Sequence, residues 1–212
     1  MLLIERVLNE HLYLLIIMII TTIIISYSIK NRPTLLKSIV LAHIKKTDFK
    51  FVLNNIQDRI TTILFWTSIS LQALALCFVF EEKNISPTIG LIFFTILVII
   101  KRGLINISGI IFQKKKLSET YLTSFIIMAI QIGWASAVFS LYRIIYHSSV
   151  NTTLFSNISA IFFIVIVFYI LSRFIILLRI AKKEEVSFLH IIFYLCTLEI
   201  LPLALILVFI SR

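Results

Sequence analysis

The chain has 212 residues, of which 60% are hydrophobic and 14% charged, and its mean hydropathy is +1.06. Soluble globular domains carry about 45–50% apolar and about 25% charged residues, so this chain has too few polar residues to cover a surface in water. The formal net charge of +10 would suit nucleic acid, but the placement of the basic residues fits membrane topology better. The composition therefore predicts a single all-α membrane domain over 1–212, with the lipid bilayer as its solvent.

Long continuous apolar runs, rather than short alternating ones, predict spanning helices. Their high Ile content would favour strands in water, but an open sheet in lipid leaves its edge N–H and C=O groups unsatisfied. Lys101 and Arg102 interrupt the third run, which is long enough to span only if it continues to Phe112. Six spanning helices are therefore predicted, at about 12–29, 61–80, 88–112, 121–143, 156–179 and 188–210.

The first apolar run could also be a signal peptide. Glu5 and Glu10 beside a single Arg6 make a poor positively charged region, and no small-residue cleavage site follows the run. A retained first helix is therefore predicted.

The one sizeable segment between predicted spans, 30–60, is amphipathic. Such a segment is typical of one helix, or two short ones, lying in the membrane interface with Lys stems reaching toward headgroups. The sequence leaves two roles open for it, a lipid-surface connector or a docking surface for an envelope protein partner. The apolar residues that recur at helical spacing are Leu35, Leu36, Ile39, Val40 and Ile44, with Lys37, Lys45 and Lys46 between or after them.

Basic residues lie mainly on one predicted side of the membrane. With the two cations inside the third span left out, 14 Lys and Arg fall on one side and four on the other. The positive-inside rule then places 30–60, 113–120 and 180–187 in the cytoplasm and both termini outside.

Soluble catalytic signatures are absent from the sequence, which has no His-Glu-x-x-His, Gly-rich phosphate loop, Gly-x-Ser-x-Gly or Cys-x-x-Cys. The four His fall near predicted interfaces, and Cys77 and Cys196 both lie inside apolar runs. The chain is therefore predicted to be no enzyme and to hold no metal, cofactor or disulfide framework.

Charged residues inside the predicted spans are the strongest candidates for a site. A charge at the bilayer centre costs at least about 2.5–3.5 kcal/mol and usually has a partner. Glu199 in the last span and Lys101 and Arg102 in the third fall near the same depth, which predicts a buried ion pair. A proton or substrate site is the alternative, and a shallower third helix would let the cations reach headgroups. Pro202 frees the carbonyl of Leu198 and predicts a kink beside Glu199.

The fourth predicted span carries small residues at four-residue spacing, which let two helices approach closely. This face predicts tight packing within the chain, with a homodimer contact as the alternative. Polar residues that could form a path to Glu199 are few, so they are predicted to be scattered interhelical hydrogen bonds, each worth about 0.6 kcal/mol. The small residues are Ala129, Gly133, Ser136, Ala137 and Ser140, and the path candidates are Gln72, Asn106, Gln131 and Ser136.

The last span reads Phe-Tyr-Leu-Cys-Thr-Leu-Glu-Ile-Leu-Pro over 193–202. It resembles the signature Leu-Tyr-x-Cys-x-Leu-Glu-Ile-x-Pro of an uncharacterised family of Bacteroidota integral membrane proteins, with Phe193 in place of Leu. Gly109 through Phe112, Tyr121 and Gly133 are weaker similarities, and the Pro that often follows the fourth-helix Gly in that family is absent here. The resemblance implies a multi-pass protein of the cytoplasmic membrane of a Gram-negative cell, and no reaction.

The sequence thus predicts a non-enzymatic membrane subunit or assembly factor of the cell envelope. The alternative is a small transporter or proton-coupled carrier that uses Glu199 with Lys101 or Arg102. A dry contact between the third and last helices would favour the subunit or assembly factor. A water-filled cavity that reaches Glu199 would favour the carrier.

Overall fold

A computed structural model describes the backbone of most of the chain up to residue 146 and of scattered positions beyond it. Side chains are described from Ile16 onward, with further gaps inside the helices. The described backbone covers 2–42, 44–82, 87–111 and 115–146, with 164, 167–169, 171, 172, 174, 175 and 178.

The described chain is helical, which confirms the all-α prediction. No strand occurs within these residues, and the described positions from 164 to 178 are helical as well. The first four predicted spans correspond to α1, α4, α5 and α6, the fifth is helical wherever it is described, and the sixth lies outside the described residues. The helices are α1 (Leu2–Asn31), α2 (Pro33–Leu41), α3 (Lys46–Asn54), α4 (Arg59–Glu82), α5 (Pro87–Ile111) and α6 (Lys115–Tyr146).

Pro33 ends the first long helix and starts the next element. Arg32, the only residue between α1 and α2, has φ −143° and ψ 65°, which is outside the helical region. A proline disfavours helical geometry in the residue before it and is itself well placed in a first helical turn. The predicted segment 30–60 therefore contains two short helices, α2 and α3.

A close helix contact joins α4 and α6. Gly133 on α6 lies so near α4 that a Cβ added to it would be 2.5 Å from the Cβ of Ser68 and 2.7 Å from its Cα and carbonyl oxygen. A second close contact joins α5 and α6, where a Cβ on Gly109 would lie 2.5 Å from the Cβ of Ser118. The Oγ of Ser118 donates to the carbonyl oxygen of Ile105 at 2.7 Å. Small residues therefore set the spacing of the three long helices.

The hydrophobic core lies where α2 and α3 meet these three helices. Its fully buried members come from all five elements, and Phe65 packs edge-on against Phe125 with ring centroids 5.8 Å apart. The segment 30–60 therefore buries one face in the bundle. Core residues with no exposed surface are Leu35, Ile39, Val52, Leu64, Ile105, Ile127 and Ile130.

Among the described residues, two segments are long and apolar enough to cross a membrane, Arg59–Leu76 and Ser118–Tyr142. A shorter apolar helix covers Ile16–Asn31. Both long segments are also largely buried inside the bundle, a property they share with the core helices of soluble proteins. The described residues thus give two candidate spans, and the predicted count of six is not supported by this criterion.

Replacing Gly133 with Ala should destabilise the protein, because the new methyl group meets the backbone of Ser68. Overpacking of this kind typically costs about 1–3 kcal/mol. Gly103→Ala is the matched control, since no atom lies within 4 Å of its added Cβ. The control should be neutral or gain up to about 1 kcal/mol from helix propensity. Thermal unfolding in detergent measures both variants, and equal melting temperatures would contradict the close contact.

Candidate functional site

The helices α2 and α3 form a hairpin of residues 33–54, here called the basic hairpin. The Oγ of Ser38 on α2 donates to Oδ1 of Asp48 in the first turn of α3 at 3.0 Å, which joins the two helices. At the start of the hairpin, an Nη2 of Arg32 lies 3.7 Å from Oδ2 of Asp58. That ion pair places the beginning of α2 beside the residue that precedes α4.

The far end of α2 contacts the middle of α6. Nε2 of Gln131 donates to the carbonyl oxygen of Ile39 at 2.8 Å, and Gln131 is near the centre of the segment Ser118–Tyr142. The last carbonyl groups of any helix have no partner within it, so this side chain satisfies one of them. Nothing in the sequence signals this contact, because the two residues are 92 positions apart.

The basic hairpin therefore runs back into the bundle from the end where α1 stops and α4 starts. Gln72 on α4 donates to the carbonyl of Ala129, and Ser68 lies against Gly133, so Gln131 is level with the stretch 68–72 of α4. That level is roughly 14–20 Å along α4 from Arg59 at about 1.5 Å per residue. The short α2 covers part of that distance and contacts α6, and α3 packs against both α2 and α6.

The outward face of the basic hairpin carries lysines and apolar side chains together. Its own acidic residue Asp48 is half-buried and accepts a hydrogen bond from Ser38, and the nearby Asp58 pairs with Arg32. The exposed apolar side chains are Val40, Ile44 and Phe51, with 53%, 80% and 38% of their surface exposed. Within the described residues, no acidic partner contacts the exposed Lys37, Lys45, Lys46 and Lys50.

The two cations of α5 lie over aromatic rings of the neighbouring helices. Nζ of Lys101 is 5.0 Å from the ring centroid of Phe125, and Cζ of Arg102 is 5.6 Å from that of Phe65. Both cations are half-buried. The π faces of the rings attract a cation, so α5 holds its charges against α4 and α6. The predicted partner Glu199 and the predicted kink at Pro202 lie outside the described residues, so the ion pair stays a prediction.

The polar residues proposed as a path to Glu199 face different neighbours. Gln72 donates to Ala129 at 2.6 Å and Gln131 to Ile39 at 2.8 Å, while Asn106 is exposed on α5. Ser136 is buried. Each glutamine amide thus holds a neighbouring helix through a backbone carbonyl.

Two of the small residues of α6, Ala129 and Gly133, contact α4. Ala129 and Ser140 are buried, Gly133 touches Ser68, and Ala137 is partly exposed. Ser68, which sequence reasoning missed, shows no distinctive pattern on α4 and is identified only by its contact. Its Oγ and those of Ser124 and Ser140 are buried without a hydrogen-bond partner in the described part of the chain.

No group of three or more His, Cys, Asp or Glu that could hold a metal ion occurs within the described residues. The available chemistry is therefore that of exposed ammonium groups on the basic hairpin and half-buried cations on α5. These groups can attract anions.

The contact between Arg102 and Phe65 should show as a coupling energy. In a double-mutant cycle, Arg102→Gln combined with Phe65→Leu should lose about 0.5–1 kcal/mol less stability than the sum of the single changes. Arg102→Lys keeps the charge and should retain part of the coupling. Unfolding in detergent measures the cycle, and strictly additive losses would contradict the contact.

Comparison with known families gives one match. The profile of DUF4271, a domain of unknown function, matches residues 11–210. Neither the curated proteins nor the solved structures contain a match to the chain. The unknown function of this domain agrees with the expectation of an uncharacterised family. Because the match covers nearly the whole sequence, the chain belongs to the DUF4271 family.

Proposed function

We propose that the chain is a multi-pass protein of the cytoplasmic membrane of a Gram-negative cell, and that it crosses that membrane six times. Apolar ridges that face away from the bundle support this placement, because soluble monomers rarely expose large contiguous apolar patches. The ridges follow helical spacing on three elements. They comprise Ile16, Ile19, Ile20 and Ile23 on α1, Ile92, Ile96, Ile99 and Ile107 on α5, and Ile164, Phe168, Leu171 and Ile175 beyond α6, each at least 47% exposed.

In this proposal the segments 30–60, 113–120 and 180–187 face the cytoplasm, and both termini face the other side. The excess of Lys and Arg in these segments supports the orientation through the positive-inside rule. The contact between Arg32 and Asp58 is consistent with it, since it joins the ends of α1 and α4 on one side of the bundle.

Cysteine labelling tests the orientation directly. After Cys77 and Cys196 are replaced by Ser, a Ser149→Cys variant should react with a membrane-impermeant thiol reagent added to the periplasmic side. A Lys115→Cys variant should react only after the membrane is permeabilised. The reverse result would contradict the orientation, and labelling of both variants in intact cells would contradict the six-helix count.

Within the membrane, we infer a non-enzymatic role as a subunit or assembly factor of the cell envelope. The observation that carries this role is the use of the two glutamine amides. Gln72 and Gln131 each donate to a backbone carbonyl of a neighbouring helix instead of facing a shared polar path. The close approach of Gly133 to Ser68 leaves no room for water between α4 and α6 at that point. Polar side chains used in this way serve packing.

The alternative function is a small proton-coupled carrier. The half-buried cations Lys101 and Arg102 favour it, because ionisable groups inside a membrane often mark an ion or substrate pathway. In that case Glu199 would exchange protons with water during each cycle.

Glu199→Gln separates the two functions. If Glu199 pairs with a cation of α5, losing it strands that cation and should cost about 3–5 kcal/mol of stability. Neutralising the correct cation as well, by Lys101→Gln or Arg102→Gln, should restore part of the loss. If the chain is a subunit, the double variant should still complement a strain that lacks the chain, provided that the double variant folds. A Glu199→Gln protein that is fully stable and inactive in complementation would favour the carrier.

The subunit role predicts a stable assembly. After in-cell crosslinking, the chain solubilised from its native membrane should purify with a partner at fixed stoichiometry. Recovery of the chain alone from crosslinked native membranes would contradict this role.

A further inference from the structure

We propose that the tip of the basic hairpin docks onto a membrane-spanning partner protein that presents a carboxylate to Lys45 and Lys46. The hairpin tip is here residues 44–46, which are exposed where α2 turns into α3. The proposal rests on the proposed role as a membrane subunit. It deepens that role by naming the contact surface and the chemistry of the partner.

Two hydrogen bonds fix the level of the hairpin tip. Before the tip, Nε2 of Gln131 donates to the carbonyl oxygen of Ile39 at 2.8 Å. After the tip, Asp48 in the first turn of α3 accepts a hydrogen bond from Ser38, the neighbour of Ile39. Gln131 is near the centre of the apolar segment Ser118–Tyr142, so the tip between these two contacts is near the mid-depth of the bundle.

Two lysines are exposed at this level. In the proposed membrane, the middle of the hydrocarbon is about 15 Å from either headgroup level, since the apolar layer is about 30 Å thick. A lysine side chain, with its four-carbon stem, is too short to carry the ammonium group over that distance. An ammonium group at the bilayer centre is costly and is accompanied by an opposite charge or by water. Lys45 and Lys46 therefore require a polar partner at mid-depth.

The chain itself has too few carboxylates at that depth. Of its ten acidic residues, Glu199 is the one that lies inside a predicted span. One carboxylate cannot neutralise both tip lysines, and the ion pair predicted above already assigns it to a cation of α5. Asp48 is close in the chain, but it accepts from Ser38 and forms no ion pair with a lysine of the described residues. A second molecule therefore supplies the missing negative charge.

A protein carboxylate fits the surroundings of the tip better than a lipid or a soluble anion. The phosphate of a phospholipid stays at the headgroup level, and a soluble anion does not enter hydrocarbon. An Asp or Glu on a spanning helix of a partner can lie at mid-depth. The apolar remainder of that helix would cover Ile44, which is 80% exposed. The partner is therefore a spanning helix that carries a carboxylate near its middle.

Site-specific photocrosslinking in native membranes tests the contact. A photoreactive phenylalanine analogue at Ile44 should crosslink to a spanning segment of another protein, and peptide mapping should locate the adduct within about one helical turn of an Asp or Glu. The matched control is the same analogue at Ile110 on α5, which is 78% exposed. It should give no adduct with that segment, and equal yields from both positions would overturn the proposal.

Charge-neutral variants test the role of the lysines. The Lys45→Gln, Lys46→Gln variant should retain at least about 10-fold less partner in mild detergent, because it strands the partner's carboxylate in a desolvated contact. Lys45→Arg, Lys46→Arg should retain the partner. Changing the mapped carboxylate to its amide should restore part of the binding of the Gln variant.

The control for net charge is Lys115→Gln, Lys116→Gln, which removes the same charge from the first turn of α6. This variant should keep the partner, and an equal loss in both Gln variants would overturn the docking point. Should the hairpin Gln variant not fold, the crosslinks from Ile44 in the otherwise unmodified chain still decide the matter.

Other occupants of the tip would overturn the proposal as well. Photocrosslinks from Ile44 to phospholipid, to 188–210 of the same chain or to a second copy of the chain would each identify a different neighbour. After Cys77 and Cys196 are replaced by Ser, reaction of an Ile44→Cys variant with a membrane-impermeant thiol reagent would show a water-filled cavity.

Failure of the docking point and failure of the subunit role have different signatures. A partner that purifies with the chain at fixed stoichiometry, but gives no adduct with the analogue at Ile44, overturns the docking point alone. Recovery of the chain without any partner from crosslinked native membranes overturns the subunit role together with it.

Discussion

The close contact of Gly133 with Ser68 fixes the arrangement on which the other contacts depend. Because α6 approaches α4 without an intervening side chain, Gln72 can reach the carbonyl of Ala129 one turn away, at 2.6 Å. The same approach holds Phe125 against Phe65, and those two rings in turn support the cations of α5. In the proposed membrane, burial against acyl chains would give little net gain between helices, so close packing and interhelical hydrogen bonds would supply the association.

The position of the basic hairpin also depends on hydrogen bonds between helices. A short helix that ends inside a bundle leaves carbonyl groups with no partner, and hydrocarbon offers none. Gln131 supplies a donor to Ile39, and the hydroxyl of Ser38 holds Asp48 of the returning helix. Two polar contacts and a face of fully buried Leu35, Ile39 and Val52 therefore keep the hairpin against α6. Exposed on the hairpin are Lys37, Lys45, Lys46 and Lys50, and no acidic side chain contacts them within the described residues.

The sequence predicted the described helices well because hydropathy acts locally. The apolar run at 88–112 matched α5, and three members of the apolar set predicted for 30–60, Leu35, Leu36 and Ile39, are buried on α2. It did not predict that α2 contacts the middle of α6, since the signal is one glutamine far away in the chain. The same holds for Ser68, whose importance comes from Gly133 and not from any property of its own helix. Contacts between residues that are distant in the chain leave no periodic pattern in the sequence.

The cations of α5 and those of the basic hairpin differ in their surroundings, and this difference bears on their roles. Arg102 faces the ring of Phe65 within the bundle, and Lys101 faces that of Phe125, so aromatic faces compensate part of the cost of leaving water. The hairpin lysines have neither a ring contact nor an acidic partner among the described side chains. A cation that contacts aromatic rings within the protein can have a purely structural role. A cation with no partner among the described residues interacts with water or with a ligand. The basic hairpin is therefore the part of the described chain best suited to bind an external ligand.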